Sequence, residues 1–241
     1  MNNFSSRLVA HRGYMEVYPE NSWRGIQAAL DRGASWVEFD IQMYKPGQFA
    51  LLHDADLRRT ANTPLSLFEL TELQLKQISI HEPERLGEQY SPEHIVLLEE
   101  VLTHLCEYPS ARAMVEIKEE SLYHWGLEPV MQSLLPILGR FNTQCVLISF
   151  SFDALQYAQD HSNIEIGWVL RNYDNPSIIR ASALHPNYLI CNYTKLPDQE
   201  RPASGPWTWM VYDITDPSIA HHWIKRGIDL IETRDIGKLI I

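Results

Sequence analysis

The feature that most constrains the fold is an alternation of short β-rich runs with helical patterns, which continues along nearly the whole chain. The strand candidates are residues 7–10, 36–43, 112–118, 145–150, 164–170, 188–192, 209–214 and 228–233. After the second candidate, the turn signal Lys45-Pro46-Gly47 and an extended run at 49–53 indicate a hairpin return. Repeated βα units of this number predict an α/β fold, a (β/α)₈ TIM barrel. A doubly wound open sheet is the alternative.

The segments between these strands carry helix patterns and helix-start signals. Helices are predicted at 22–32, 127–138, 153–161 and 176–184, and Asp216-Pro217 supplies an N-cap and a first-turn proline to another. A small hairpin and helical insertion follows the second strand, with helices near 70–78 and 97–106 and a polar surface loop at 80–94. Without repeats or a linker, residues 1–241 are predicted to form one domain.

Composition and charge narrow the class of function. The chain has 241 residues, of which 45% are hydrophobic, so it can build a substantial core. Its formal net charge of −11 argues against a nucleic-acid partner. An acidic protein that binds an anionic substrate must attract it locally, through a metal cation or a few placed Arg and Lys side chains.

Cysteine spacing and the amino terminus bear on the compartment. Cys106, Cys145 and Cys191 are far apart, which fits buried thiols in a reducing compartment better than disulfides. No signal peptide is visible and no apolar run could span a bilayer, so the prediction is a cytoplasmic protein without stable membrane insertion. A processed precursor is the alternative, and the oligomeric state is not predicted.

Charged residues at the predicted strand ends form the candidate site. Glu38 and Asp40 are two residues apart, so they face the same side of a strand. Two such acids are costly unless a cation neutralises them, and hard oxygen ligands suit Mg²⁺, Ca²⁺ or Mn²⁺. Glu116 and Lys118 repeat this spacing in the next strand of the barrel, as a third carboxylate and a phosphate contact.

His11-Arg12 follows the first strand, and His53-Asp54 ends the hairpin return at the same rim. Each feature alone has an ordinary structural explanation, such as a solvated strand face or a surface charge. Their meeting at one rim favours a functional site. The other histidines are interpreted as structural, and His221-His222 is expected on a helix surface.

The same residues resemble the signature of the glycerophosphodiester phosphodiesterase family. The matching blocks are His11-Arg12-Gly13, Pro19-Glu20-Asn21-Ser22, Glu38-Phe39-Asp40, His53-Asp54 and Arg59-Thr60, followed by Glu116-Ile117-Lys118 and Ser149-Phe150-Ser151. The resemblance extends over essentially the whole chain. It implies a TIM barrel that uses one divalent cation to hydrolyse glycerophosphodiesters to sn-glycerol 3-phosphate and an alcohol.

By position, the resemblance implies a role for each block. The family's metal ligands correspond to Glu38, Asp40 and Glu116, with Glu20 close by. Its phosphate contacts correspond to Arg12 and Lys118, and its acid–base pair corresponds to His11 and His53. Mg²⁺ is the favoured ion and Ca²⁺ the alternative. His11 is assigned as base and His53 as acid, with the reverse left open. The nucleophile is either water or the substrate's own glycerol hydroxyl.

The chain departs from the family pattern outside this set. Tyr44 and Pro46 replace Thr and Asp after the E-x-D block, Tyr212-Asp213-Ile214-Thr215 stands at the late Trp-Thr-Val-Asn block, and Thr233-Arg234 replaces Thr-Asp. These changes leave the headgroup unassigned. Two alternatives remain: a phospholipase-like phosphodiesterase acting on lysophospholipids, and a catalytically silent barrel that binds glycerol phosphate.

Overall fold

Nine strands form one sheet in the computed structural model, which describes residues 4–198 and 201–240. The strands are β1 (Leu8–Ala10), β2 (Trp36–Lys45), β3 (Gln48–Leu51), β4 (Arg112–Ile117), β5 (Cys145–Ser149), β6 (Glu165–Leu170), β7 (Tyr188–Asn192), β8 (Thr208–Tyr212) and β9 (Leu230–Thr233). All except β3 are parallel, and β1 pairs with both β2 and β9. The sheet therefore closes into the predicted eight-stranded TIM barrel, and the open-sheet alternative is wrong.

α-Helices separate most neighbouring barrel strands and form the outer layer, whereas the described residues between β7 and β8 form only a short 3₁₀ turn. The α-helices are α1 (Trp23–Asp31), α2 (Arg58–Ala61), α3 (Glu72–Gln77), α4 (Pro83–Leu86), α5 (Leu98–Leu105), α6 (Glu119–Trp125), α7 (Leu127–Gly139), α8 (Phe152–His161), α9 (Asn175–Leu184), α10 (Pro217–Lys225) and α11 (Ile236–Leu239). Short 3₁₀ turns lie at Phe4–Arg7, Leu67–Glu69 and Tyr193–Lys195. The antiparallel strand β3 and helices α2 to α5 follow β2, where the insertion was expected.

One local prediction needs correction, and one helix was not foreseen. The segment 80–94, predicted as a surface loop, contains α4 and buries Ile80, Glu82 and Glu93. Helix α6 was not predicted, because a helix of seven residues is too short to show a clear helical period. Gly126 is the C-cap at which this helix ends. Short elements of this kind are set by their neighbours rather than by their own sequence pattern.

Polar side chains cap four of the helices that follow barrel strands, α1, α8, α9 and α10. Ser22 accepts a hydrogen bond from the Gly25 backbone N–H, Ser151 from Ala154, Asp174 from Ser177, and Asp216 from Ser218 and Ile219. Each bond satisfies an N–H that has no partner inside its helix. These caps fix where four of the βα loops end, and the βα loops form the rim on which the functional side chains lie.

The barrel interior is apolar in its middle and charged at its carboxyl end. Val9, Met114, Val169, Met210 and Leu230 lie together inside it. Side chains two residues further along each strand point the same way, because the period of a strand is two. The inward positions that follow Val9, Met114 and Leu230 are therefore charged or titratable, whereas the intervening residues pack outward against the helices.

Two further predictions concern the thiols and the membrane. Cys145 and Cys191 are buried as expected, but Cys106 is exposed at the end of α5, so the expectation of buried thiols is wrong for that residue. Among the residues that the structure describes, no helix combines the length and the apolar character needed to cross a bilayer.

Candidate active site

The loop after β1 places His11 and Arg12 at the carboxyl end of the barrel. Arg12 has φ 52° and Gly13 has φ 77°, so the chain turns sharply through two left-handed residues. A Cβ at Gly13 would lie 2.6 Å from the backbone carbon of Gly25 in α1. Glycine is required there because the helix backbone packs directly against the loop. That close packing fixes the direction in which His11 and Arg12 leave β1.

Three buried carboxylates gather beside this loop. Glu38 and Asp40 come from β2, and Asp40 is the β-ladder partner of Glu116 on β4. One oxygen of each of the three carboxylates lies within 4.8 Å of the other two, and Oε1 of Glu38 is buried without a hydrogen-bond partner. Oxygen atoms this close, one of them unsatisfied, are the donor set that a hard divalent cation prefers. The residues present therefore fit such an ion.

The protonation equilibria of these acids reflect their burial. Burial, together with the charge of Asp40, raises the pKa of Glu38 and of Glu116. Burial also acts to raise the pKa of Asp40, but Arg12 and Lys118 outweigh it and hold that pKa well below its usual range. The three acids cannot all be ionised cheaply without added positive charge.

Arg12 and Lys118 bring two cations to the cluster. Arg12 lies 3.1 Å from Oε1 of Glu20 and 3.0 Å from Oδ2 of Asp40. Lys118 Nζ donates to Glu116 at 2.8 Å and lies 3.4 Å from Oδ1 of Asp40. Both cations are held by carboxylates and also line the cavity, where they can meet an anion.

The two histidines have different surroundings. Nε2 of His11 lies 3.9 Å from Oε2 of Glu38, and burial together with the charge of Arg12 lowers the pKa of His11 to about 3. His53 Nδ1 lies 2.6 Å from Oδ1 of Asp54. A hydrogen bond from His53 keeps the pKa of Asp54 well below its usual range, so this carboxylate only accepts. The Nδ1 of His53 therefore carries the hydrogen.

A network of charges extends behind His53. Arg59 Nε donates to Oδ2 of Asp54 at 2.8 Å, and its terminal nitrogens donate to Glu20 at 2.5 and 2.8 Å. Glu20 is buried and also accepts from Arg12. Burial acts to raise the pKa of Glu20, but the Arg59 hydrogen bond and the Arg12 charge lower it overall. The network links the surroundings of both histidines.

The predicted residues meet in one cavity of about 180 Å³. Six of them line it: His11, Arg12, Glu38, His53, Glu116 and Lys118. Asp40 is the seventh, and it lies behind this wall in contact with Arg12 and Lys118. Within the described part of the chain, no other histidine lines the cavity. His221 and His222 are exposed on α10, as predicted.

Sequence reasoning missed several residues of the site. Glu232 on β9 lines the cavity with Asp213 and Tyr212, and burial beside Glu116 raises the pKa of Glu232 well above its usual value. Asn21 donates to Asp40 at 3.0 Å and accepts from the Asp40 backbone N–H at 3.0 Å. An acid inside the apolar run Leu230-Ile231-Glu232 was the available signal for Glu232.

Comparison with known proteins agrees with this geometry. The family model described as the glycerophosphoryl diester phosphodiesterase family matches residues 11–180. A glycerophosphodiester phosphodiesterase of Caldanaerobacter subterraneus is 25% identical over 97% of this chain and 96% of its own length. One of Bacillus altitudinis is 32% identical, but the match covers 51% of this chain and about half of that relative, 49%.

Solved structures share the fold. An Oleispira antarctica phosphodiesterase, solved in complex with the product sn-glycerol-3-phosphate, superposes with a TM-score of 0.85 at 23% identity, over 97% of this chain and 94% of that one. A Silicibacter pomeroyi structure gives a TM-score of 0.82 at 17% identity, over 97% and 91% of the two chains. Together, the barrel, its rim and these relatives define a TIM-barrel phosphodiesterase. Because the family model matches well over half of its residues, the chain belongs to the glycerophosphoryl diester phosphodiesterase family.

Proposed function

We propose that residues 1–241 form one domain that hydrolyses glycerophosphodiesters to sn-glycerol 3-phosphate and an alcohol. The observation that carries the proposal is the cavity itself, in which two histidines, two cations and buried carboxylates face one another. General acid, general base and anion-binding groups are the set that phosphodiester hydrolysis requires. The family membership and the named relatives support the choice of glycerophosphodiesters among phosphodiesters.

Glu38, Asp40 and Glu116 would hold one divalent cation, with Mg²⁺ favoured and Ca²⁺ as the alternative. When bound, such a cation polarises a non-bridging phosphoryl oxygen and offsets the charge of the three acids. Glu232 is a fourth acid near the cluster, because its carboxylate and that of Glu38 also lie within 4.8 Å of His11. Asn21 holds Asp40 through two hydrogen bonds and thereby orients one ligand.

Arg12 and Lys118 would bind the phosphate from the same side of the cavity. Lys118 is buried and Arg12 is half-buried, and the positive charge of both is largely matched by acids in the free protein. Positioned charges of this kind stabilise the negative charge that grows on the phosphoryl oxygens in the transition state, without reorganising at the moment of reaction. Lys118 keeps one ammonium hydrogen for substrate while it contacts Glu116 and Asp40.

His11 and His53 would transfer the protons. In this assignment His11 accepts a proton from the attacking hydroxyl. His53 enters the step with a hydrogen on both ring nitrogens and gives the Nε2 hydrogen to the leaving alkoxide, while Nδ1 stays hydrogen-bonded to Asp54. The attacking hydroxyl belongs either to water or to the glycerol of the substrate. Accumulation of a cyclic glycerol phosphate in a single turnover would identify the second route.

Release of glycerol 3-phosphate from glycerophosphocholine and glycerophosphoethanolamine tests the proposal, with chelator present and with Mg²⁺ or Ca²⁺ restored. His11→Ala and His53→Ala should each lose at least about 100-fold in turnover, because proton transfer contributes that much or more. His185→Ala is the matched control, since that ring is exposed, does not line the cavity and lies 3.2 Å from the backbone carbonyl of Ala183. Near-normal activity in either of the first two variants would exclude this pair.

Lysophosphatidylcholine is the discriminating second substrate. Faster turnover of that lipid than of glycerophosphocholine would favour the phospholipase-like alternative. Binding of glycerol 3-phosphate without metal-stimulated turnover of any diester would favour the silent barrel.

A further inference from the structure

A second and larger cavity, of about 500 Å³, lies beside the first at the same rim of the barrel. Phe150, which follows β5, lines both cavities. Lys118 Nζ on the side of the first cavity is 5.9 Å from the centroid of this ring, and Arg171 Cζ on the side of the second is 5.1 Å from it. The Phe150 ring therefore forms part of the wall between the two cavities. We call the larger one the Phe150 groove.

The groove is placed to receive one arm of a diester. Its walls come from the residues that follow β4, β5 and β6, so it opens at the carboxyl ends of the same parallel strands as the first cavity. Lys118, the proposed phosphate contact, stands at the boundary. A phosphate held there directs one ester arm into the small cavity and leaves the other arm beside Phe150.

Three of the four aromatic rings that line the groove already carry guanidinium groups, and the exposed Tyr123 is the fourth ring. Arg171 lies over Phe150, and Arg180 lies 4.1 Å from the centroid of Phe152 and 5.5 Å from that of Trp168. These are the positions that a ligand ammonium would take by cation–π attraction. A cationic alcohol such as choline must therefore compete with an arginine at each of these rings.

The charges on the walls are balanced. Arg171 pairs with Glu119, and Arg180 and Asp153 add one further charge of each sign. The groove therefore carries no net charge to select an anionic or a cationic alcohol. What it offers is a set of guanidinium donors, carboxylate acceptors and the Asn172 amide. Hydroxyl groups both donate and accept, so an alcohol with several of them satisfies such walls.

We infer, on the basis of the proposed function, that the Phe150 groove binds the alcohol arm of the substrate and selects a neutral polyol, such as a cyclitol or a second glycerol. Arg171 and Glu119 are the specificity pair, because they stand next to the phosphate end and present planar donors and acceptors to neighbouring hydroxyls. An alcohol arm that has no free hydroxyl once esterified, such as choline, leaves the Arg171 donors and the Glu119 acceptors without hydrogen-bond partners.

The test compares glycerophosphoinositol with glycerophosphocholine as substrates at saturating metal, by kcat/KM for glycerol 3-phosphate release. In the intact chain, kcat/KM for glycerophosphoinositol should exceed kcat/KM for glycerophosphocholine by about tenfold or more. Arg171→Leu should reduce the ratio of these two values by about tenfold, which is the effect of losing one hydrogen bond to a charged group. Arg140→Leu is the matched control, because Arg140 is about as exposed as Arg171 and forms an ion pair with Glu99 away from the groove. The ratio of the two kcat/KM values in Arg140→Leu should equal that of the intact chain.

The failure of this inference is separate from the failure of the proposed function. Equal efficiency on both diesters, a preference for glycerophosphocholine, or an unchanged ratio in Arg171→Leu would overturn the polyol assignment while leaving phosphodiesterase activity in place. Turnover of glycerophosphocholine by Arg171→Leu shows that this variant is folded. No turnover of either diester by the intact chain with metal present would overturn both proposals.

Discussion

Replacement of Arg59 by Met should weaken the fold and the reaction together, because this one side chain joins the buried Glu20 to the Asp54 that holds His53. It donates two hydrogen bonds to Glu20, at 2.5 and 2.8 Å, and one to Asp54 at 2.8 Å. Arg12 remains bound to Glu20 at 3.1 Å after the change. The carboxylate therefore loses one of two cationic partners.

The size of the effect lies between two limits. Removing a partner from a buried ion pair costs about 3–5 kcal/mol, whereas an exposed pair contributes about 0–1 kcal/mol. Arg59 is 43% exposed, Glu20 is 1% exposed, and Arg12 still offsets part of the charge. We expect a loss of about 2 kcal/mol, which lowers the Tm of a chain of this size by about 4–8 °C. Turnover should fall about tenfold, because Asp54 no longer has a fixed orientation beside His53.

Thermal unfolding followed by circular dichroism, with kcat and KM at fixed metal, measures both effects. Arg58→Met is the control, since Arg58 is 71% exposed and its ion pair with Asp56 spans 3.4 Å. Its Tm should change by no more than about 4 °C, the upper limit for an exposed pair worth about 0–1 kcal/mol. Equal Tm values for the two variants would show that Arg59 does not stabilise the buried acid. A change confined to KM would show that Arg59 acts on substrate binding rather than on His53.

Three further predictions follow from the same geometry. Removal of divalent cations by EDTA should abolish glycerol 3-phosphate release. Added Mg²⁺ or Ca²⁺ should raise the Tm, because an ion at about 100 times its Kd stabilises the folded chain by about 2.7 kcal/mol. A Tm independent of both ions would exclude a resident site. Gly13→Ala should destabilise the chain by about 3 kcal/mol, since alanine is strained at φ 77° and its Cβ would meet Gly25 at 2.6 Å; unchanged denaturant unfolding would contradict this packing. A thiol reagent should label Cys106 rapidly in the folded chain and all three cysteines only after unfolding, because burial shields Cys145 and Cys191 and raises their pKa values to about 12 and about 11. Rapid labelling of more than one thiol would contradict the buried core.

Much of the site could be predicted because it depends on local spacing. Glu38 and Asp40 share a face in any extended strand, and Glu116 and Lys118 share one in the next barrel strand, since the period of a strand is two. Once a parallel barrel is expected, its carboxyl ends must meet, so the residues that end different strands come together. The helix caps and the turn at Lys45-Pro46-Gly47 are local in the same sense.

Other parts of the site depend on contacts between distant segments. Glu232 faces the carboxylate cluster because β9 closes the barrel against β1, and no local pattern specifies that closure. Arg59 reaches Glu20 across 39 positions of sequence. Arg171 meets Glu119 across 52 positions. Such pairs form only when the whole chain is folded.

The sequence by itself therefore determined the class of fold, the faces on which the catalytic candidates lie and the chemistry of those groups, because propensity, spacing and side-chain type are local properties. Only the tertiary structure decided that Glu232 joins the carboxylate cluster, which arginine contacts the partner of His53 and where the second cavity lies. The physical reason is that burial, electrostatic coupling and cavity shape arise from distances between segments that the barrel brings together. Those distances follow from packing the entire chain.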